Sequence, residues 1–188
     1  PIQRAFARDG HTMRDIKIGA AQFETRDADK AYNLSRIDAL TQKAVEEGAG
    51  IVSFHECCIP GYTFLQTLSR SRLVELAEPV PGGPSTERLI EIAREYNIPL
   101  LAGLVEIEND ALYNTYVAVT PDGFLAKHRK LHAFISKFIS SGDRFTLFDL
   151  CGCRAGILIC YDNNLPENVR ITAMMGAEII FMPHVTCG

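Results

Sequence analysis

Hydrophobic positions along the chain follow two rhythms, and their order predicts strands alternating with helices. Residues 16–23 alternate small and branched side chains, which predicts a first strand. Ala31, Leu34, Ile37, Leu40, Ala44 and Val45 then recur at helical spacing, and Gly48 and Gly50 end that helix. Ile51, Val52, Ser53 and Phe54 form a short apolar run that reads as a buried strand. Residues 65–77 are loosely helical, and a Pro/Gly-rich breaker at 79–84 follows. Leu89, Ile92, Ala93 and Tyr96 mark the apolar face of a helix starting near Ser85.

The middle of the chain is rich in strands. Residues 99–107 and 113–120 flank a turn at Asn109 and Asp110, and Pro121, Asp122 and Gly123 turn the chain into an extended segment at 124–127. Residues 134–141 show no period and read as a loop. Residues 145–150 and 154–160 pair as a hairpin around Cys151 and Gly152. Pro166 opens a helix with Val169, Ala173 and Met174, Gly176 caps it, and 178–182 is a last buried strand. This order predicts an α/β layered sandwich, not an all-parallel doubly wound sheet. Residues 1–15 are polar and aperiodic, a loose N-terminal extension to a single domain at 16–188.

Composition narrows the function classes. The 188 residues suit one domain, and 47% hydrophobic with 22% charged residues is ordinary for a soluble globular protein. A net charge of −4 and a pI near 5.7 make no electrostatic case for nucleic acid or an acidic membrane surface. No apolar run has the length of a membrane span, and residues 1–15 lack an apolar signal core, so the expected compartment is the cytoplasm. Six cysteines are present, but the spacing of Cys57, Cys58, Cys151 and Cys153 does not suit paired zinc ligands. They read as reduced core or loop thiols, with no metal expected. Gly82-Gly83 lacks the lysine and hydroxyl of a phosphate loop.

Three polar residues follow strands: Glu56, Lys130 and Cys160. Cys160 ends an apolar run, and turn formers then lead to Pro166, a place where a helix N-terminus lowers a thiol pKa and offers N–H donors. Taken alone, such a cysteine reads as an inert core thiol. Lys130 lies in the basic segment 127–132, which alone reads as a solvated patch. Glu56 is a carboxylate directly after a core strand, which is unusual. In layered α/β proteins sites form outside strand carboxyl ends, where these three could converge. A carboxylate there can take the thiol proton while the sulfur attacks a carbonyl or nitrile carbon. The lysine lowers the thiol pKa and, with the backbone N–H of Tyr161, stabilises the oxyanion.

Phe54-His55-Glu56, Arg129-Lys130-Leu131-His132 and Cys160-Tyr161-Asp162 with Pro166-Glu167 resemble the three signature segments of the nitrilase superfamily, the carbon–nitrogen hydrolases. The resemblance extends to Ile18-Gly19-Ala20-Ala21-Gln22, Pro60-Gly61-Tyr62, Leu112-Tyr113-Asn114-Thr115, Gly142-Asp143 and Met182-Pro183-His184, and runs from Lys17 to the end. It implies an α-β-β-α sandwich, assembly as a homodimer or larger homo-oligomer, and a Glu-Lys-Cys mechanism without metal or organic cofactor. Carried over by position, Glu56 is the general base, Lys130 the oxyanion stabiliser and Cys160 the nucleophile. The implied substrate is a small-molecule amide, carbamoyl compound or nitrile, with amides ahead of nitriles, and the intermediate a thioester or thioimidate on Cys160.

Among the other matching residues, Asp162 and Glu167 are expected to cap and brace the turn, and His132 to play a structural part beside the lysine. Tyr62 lines the pocket or packs, and Asn114 braces a turn or the backbone. Many family members carry a second glutamate before the Gly-Asp turn, but 134–141 has no carboxylate. Lys137 stands about where it would be, and a lysine near Cys160 would alter the local charge balance. His55 replaces a proline often seen before the glutamate. The family's sandwich continues past the Pro183-His184 strand, so the fold is expected to be incomplete at the C-terminus. The rival readings are an acyltransferase on the same triad and an impaired family member acting as a binding or assembly module.

Overall fold

Successive side chains of a strand point to opposite faces, and that alternation sorts the core of this chain into layers. The structure is a computed structural model and describes residues 15–185, so nearly all of the expected N-terminal extension lies outside the described residues. β1 (Ile18–Ala20), β2 (Ile51–Ser53) and β3 (Leu100–Glu108) pair in parallel. β4 (Ala111–Thr120) and β5 (Gly123–Arg129) continue the sheet antiparallel, and β6 (Ile139–Ser140) joins β4 at Leu112 and Tyr113. The β3–β4 turn places Asn109 and Asp110 at φ 49° and 67°, the left-handed pair that matches hairpin twist. A second sheet holds β7 (Thr146–Leu150), antiparallel to β8 (Cys153–Ile157), which pairs in parallel with β9 (Ile179–Phe181).

Four helices complete the fold: α1 (Lys30–Glu46), α2 (Arg70–Leu76), α3 (Pro84–Tyr96) and α4 (Pro166–Met174). On the first sheet, Val52, Leu100, Ala102, Val117 and Val119 face Ile37 of α1 and Leu89, Ile92 and Ala93 of α3. Their strand neighbours Ile51, Leu101, Tyr116 and Ala118 face the other way, against Phe148, Leu150, Ala155 and Ile157 of the second sheet. On the second sheet's far side, Gly156 lets α4 approach, since a Cβ there would lie 2.6 Å from Thr172 Cγ2. The layers are therefore α, β, β, α, as the family resemblance implies.

Several boundaries differ. The first strand is confined to Ile18–Ala20, and 65–77 divides into a 3-10 turn at Thr63–Thr67 and α2, whose N-cap Ser69 accepts the Arg72 N–H. The loop expected at 134–141 contributes β6. β8 ends at Ile157, so Cys160 opens a 3-10 helix, Cys160–Asn164, instead of closing a strand. The expected apolar face of α4 is also wrong: Ala173 and Met174 are exposed, and Asn168 and Thr172 are buried. The reason is close packing on Gly156, where a short polar face fits. Asn168 Nδ2 donates to the Asp162 carbonyl at 2.9 Å, and Thr172 Oγ1 to the Asn168 carbonyl at 2.7 Å.

Candidate active site

Glu56 lies just past β2, in a turn held against the neighbouring strand. The Tyr116 hydroxyl reaches the Phe54 carbonyl at 2.5 Å and fixes the chain entering that turn. Cys57, the next residue, is left-handed at φ 45°, a conformation costing about 1 kcal/mol or more for a non-glycine residue. Gly103 of β3 makes the turn possible: a Cβ there would sit 2.3 Å from the Cys57 nitrogen and 3.1 Å from the Glu56 carbonyl carbon. Lys130 follows β5, its backbone N–H donating to the Asn114 carbonyl at 2.8 Å and its carbonyl accepting from Gly142 at 2.8 Å.

The two side chains meet in the interior. Both are only 1% exposed, and Lys130 Nζ donates to Glu56 Oε1 at 2.7 Å. Asn114 Nδ2 donates to the same oxygen, also at 2.7 Å, while its Oδ1 accepts from Cys57 Sγ at 3.4 Å. Glu56 Oε2 is buried with no hydrogen-bond partner among the described residues. A carboxylate oxygen left in that state is costly and is free to accept a hydrogen bond or a proton. Tyr62 Oη lies 3.5 Å from Lys130 Nζ, and the rings of Tyr62 and Phe134 lie 5.5 Å and 4.8 Å from that ammonium.

Cys160 comes from the second sheet. Its N–H donates to the Pro183 carbonyl at 2.9 Å, its φ is 48°, and its sulfur lies 4.0 Å from the Val185 carbonyl. Burial first, and then the negative charge of Glu56, push the thiol pKa up, against the opposing pull of Lys130. This corrects the sequence expectation of a depressed thiol pKa. Desolvation and the Glu56 charge outweigh the lysine, so the resting group is a neutral thiol.

Asp162 joins the two strand ends. Its buried carboxylate accepts from the backbone N–H groups of Leu131 (3.2 Å), His132 (2.9 Å) and Ile159 (3.0 Å), with His128 Nε2 3.7 Å away. Burial works to raise its pKa, but His128 and those N–H groups hold the carboxyl below its ordinary range. Asp162 therefore ties the lysine loop to the cysteine turn. His132 takes part through its backbone, its ring edge-on to half-exposed Tyr161 with centroids 6.4 Å apart.

Two expected neighbours stand elsewhere. Glu167 is exposed in the first turn of α4, and its carboxylate has no hydrogen bond among the described residues. Lys137 is exposed too, its ammonium 5.1 Å from the Phe138 ring centroid, so it does not bring its charge to Cys160. The segment is tethered by β6, which turns Ile139 inward and leaves Lys137 outside.

A cleft of about 460 Å³ opens beside this group, its wall including Phe23, Glu24, Asp27, His55, Glu56 and Tyr62. Val185, whose carbonyl meets the Cys160 sulfur, lines it as well. Sequence reasoning missed how directly Asn114 holds Glu56. The available signal was a lone asparagine inside an aromatic and branched strand, where asparagine is disfavoured.

A family model described as Carbon-nitrogen hydrolase matches residues 17–187. A nitrilase of Pyrococcus abyssi is 34% identical over 171 residues, covering 89% of this chain and 64% of its own length. An (R)-stereoselective amidase of a Pseudomonas species is 36% identical over 174 residues, 90% of this chain and 60% of its own. Omega-amidase NIT2 of Mus musculus is 38% identical over 168 residues, 82% of this chain and 58% of its own. The chain thus spans about three-fifths of the length of these relatives. Among solved structures, Saccharomyces cerevisiae Nit3 superposes with a TM-score of 0.79 at 27% identity, over 91% of this chain and 65% of its own. A cysteine-to-alanine mutant of a Nesterenkonia amidase in complex with butyramide gives 0.78 at 25% identity, over 92% and 66%.

Proposed function

The chain belongs to the carbon–nitrogen hydrolase family, and on that premise we propose that it hydrolyses a non-peptide C–N bond of a small molecule, an amide ahead of a nitrile. The observation that carries this reading is the unequal state of the two Glu56 oxygens. Oε1 is held by Lys130 and Asn114, while Oε2 has no partner among the described residues, and the Glu56 charge raises the nearby Cys160 thiol. A carboxylate so fixed can accept one proton, and the neutral thiol is its source.

The Cys160 sulfur attacks the carbonyl carbon as Glu56 takes its proton. The oxyanion is stabilised by the Lys130 ammonium and by the backbone N–H of Tyr161, in the first turn of a helix where N–H groups lack intrahelical acceptors. Glu56 returns the proton to the departing nitrogen, the C–N bond breaks, and a thioester remains on Cys160. Water then attacks the thioester carbonyl, losing a proton to Glu56. The C–S bond breaks, the sulfur regains its proton, and the acid leaves.

The amide preference is supported by two amidases among the relatives and by the butyramide complex of a structural relative. A homodimer or larger homo-oligomer belongs to the same reading. So does the cytoplasm, where the five described cysteines, all free, would stay reduced. Ammonia release across a panel of amides and nitriles, compared between this chain and Cys160→Ala, tests the proposal. Release from amides by this chain alone, with an acyl mass on Cys160 in quenched samples, is the expected result; equal release by both proteins would overturn it.

A further inference from the structure

The cleft beside Glu56 carries a charge the chemistry does not use. Glu24 and Asp27 line it, both exposed, and neither carboxylate has a hydrogen bond or ion pair among the described residues. The cations nearest in sequence are occupied elsewhere: the Arg26 guanidinium lies 3.7 Å over the Tyr32 ring, and Lys30 pairs with Glu78 at 2.5 Å. No lysine or arginine is among the described lining residues. A second cavity, of about 220 Å³, shows the contrast, since its carboxylates Glu108 and Asp143 each pair with an arginine that lines it, Arg129 and Arg144.

An independent observation points to a ligand in the same cleft. His55 lines it, is 9% exposed, and leaves Nδ1 buried without a hydrogen-bond partner among the described residues. Burial lowers its pKa, with the Ala21 backbone working the other way, so the ring is uncharged at neutral pH. The Phe23 ring, edge-on with centroids 5.0 Å apart, fixes its plane. An uncharged imidazole with a spare nitrogen suits a hydrogen-bond donor from the substrate.

From the unpaired carboxylates and the unpaired Nδ1 of His55, and resting on the hydrolase reading above, we propose that the cleft selects amides whose acyl part carries an ammonium or similar cationic donor, and rejects amides whose acyl part carries a carboxylate. A cationic group would sit against Glu24 and Asp27, with a donor N–H toward His55. A carboxylate would meet two like charges with no lysine or arginine among the described lining residues to offset them, which costs affinity and slows encounter.

Three amides of similar size test this: glycinamide, propionamide and malonamate, compared by kcat and KM with this chain. Glycinamide is expected to exceed malonamate in kcat/KM by about tenfold or more, mostly through KM, as electrostatic discrimination at exposed carboxylates allows. The ratio should shrink as salt is raised, because exposed charges are screened beyond a Debye length. It should shrink again in the double variant Glu24→Gln, Asp27→Asn. Binding of the three amides to Cys160→Ala, measured by calorimetry, should follow the same order. Malonamate equal to or better than glycinamide, or a preference unmoved by salt and by the double variant, overturns the proposal. Turnover of propionamide without charge preference sinks this inference alone; ordered binding without turnover sinks the hydrolase reading alone.

Discussion

Two buried glutamates, Glu106 on β3 and Glu56 in the turn past β2, make opposite use of burial. Glu106 of β3 has both oxygens answered: Lys127 at 2.5 Å, Arg129 at 2.6 and 3.0 Å, and the Thr115 hydroxyl at 2.6 Å. Burial works to raise its pKa, yet those partners hold the carboxyl below its ordinary range. Glu56 is buried as deeply, but its donors converge on one oxygen and the other has no hydrogen-bond partner among the described residues. A fully satisfied buried carboxylate holds a structure together, while a half-satisfied one keeps a position open for chemistry.

Swapping each glutamate for glutamine separates the two roles. Glu56→Gln should lower kcat by about 10²–10⁴-fold, the usual worth of a general base, and should lower the melting temperature as well, because it leaves the buried Lys130 ammonium without its carboxylate. Retention of more than a tenth of the activity would break the comparison. Glu106→Gln should cost about 3 kcal/mol in urea unfolding, because it strands Lys127 and Arg129 over a weaker partner. The half-saturating amide concentration should move little, and a large change there would place Glu106 in the site. Asn114→Ala removes the second donor on Glu56 Oε1 and the acceptor for Cys57. About 1–3 kcal/mol of stability should go, with activity down roughly tenfold. Unaltered activity would mean that Lys130 alone orients the carboxylate.

Acid should sharpen the contrast further. The folded carboxyls of Glu106 and Asp162 both lie below their ordinary range. As pH falls the unfolded chain therefore takes up those protons first. The stability they contribute is full at neutral pH and is lost as pH drops through the ordinary carboxylate range toward their folded values. Melting curves between about pH 6 and pH 3 should show a shallower acid slope in Glu106→Gln than in the unaltered chain. The smallest effect concerns Cys160, whose raised pKa predicts iodoacetamide labelling in the absence of substrate no faster than an ordinary thiol near pH 8, increasing with pH.

The periodicity of the sequence carried the layers well, because α1, α3 and the inner strands bury regular apolar positions. It misplaced α4, whose buried face is polar and depends on Gly156 of another element. Glu56, Lys130 and Cys160 were legible as residues after strands and as matches to a family pattern. Their energetics were not. The thiol's raised pKa depends on burial and on Glu56, which lies far off in sequence, and the contacts of Asn114 and Asp162 cross between elements. Lys137 misled for the same reason: only the pairing of β6 with β4 shows that it points outward.

Asp162 has a dynamic consequence. Lys130 hangs from one sheet and Cys160 from the other, and one carboxylate grips backbone amides on both sides. Amide protons of Leu131, His132 and Ile159 should accordingly exchange with deuterium as one cooperative unit, although they belong to different layers. Any fluctuation that lets the sheets slide must release all three together, so the site would disassemble in a single event with no half-assembled state.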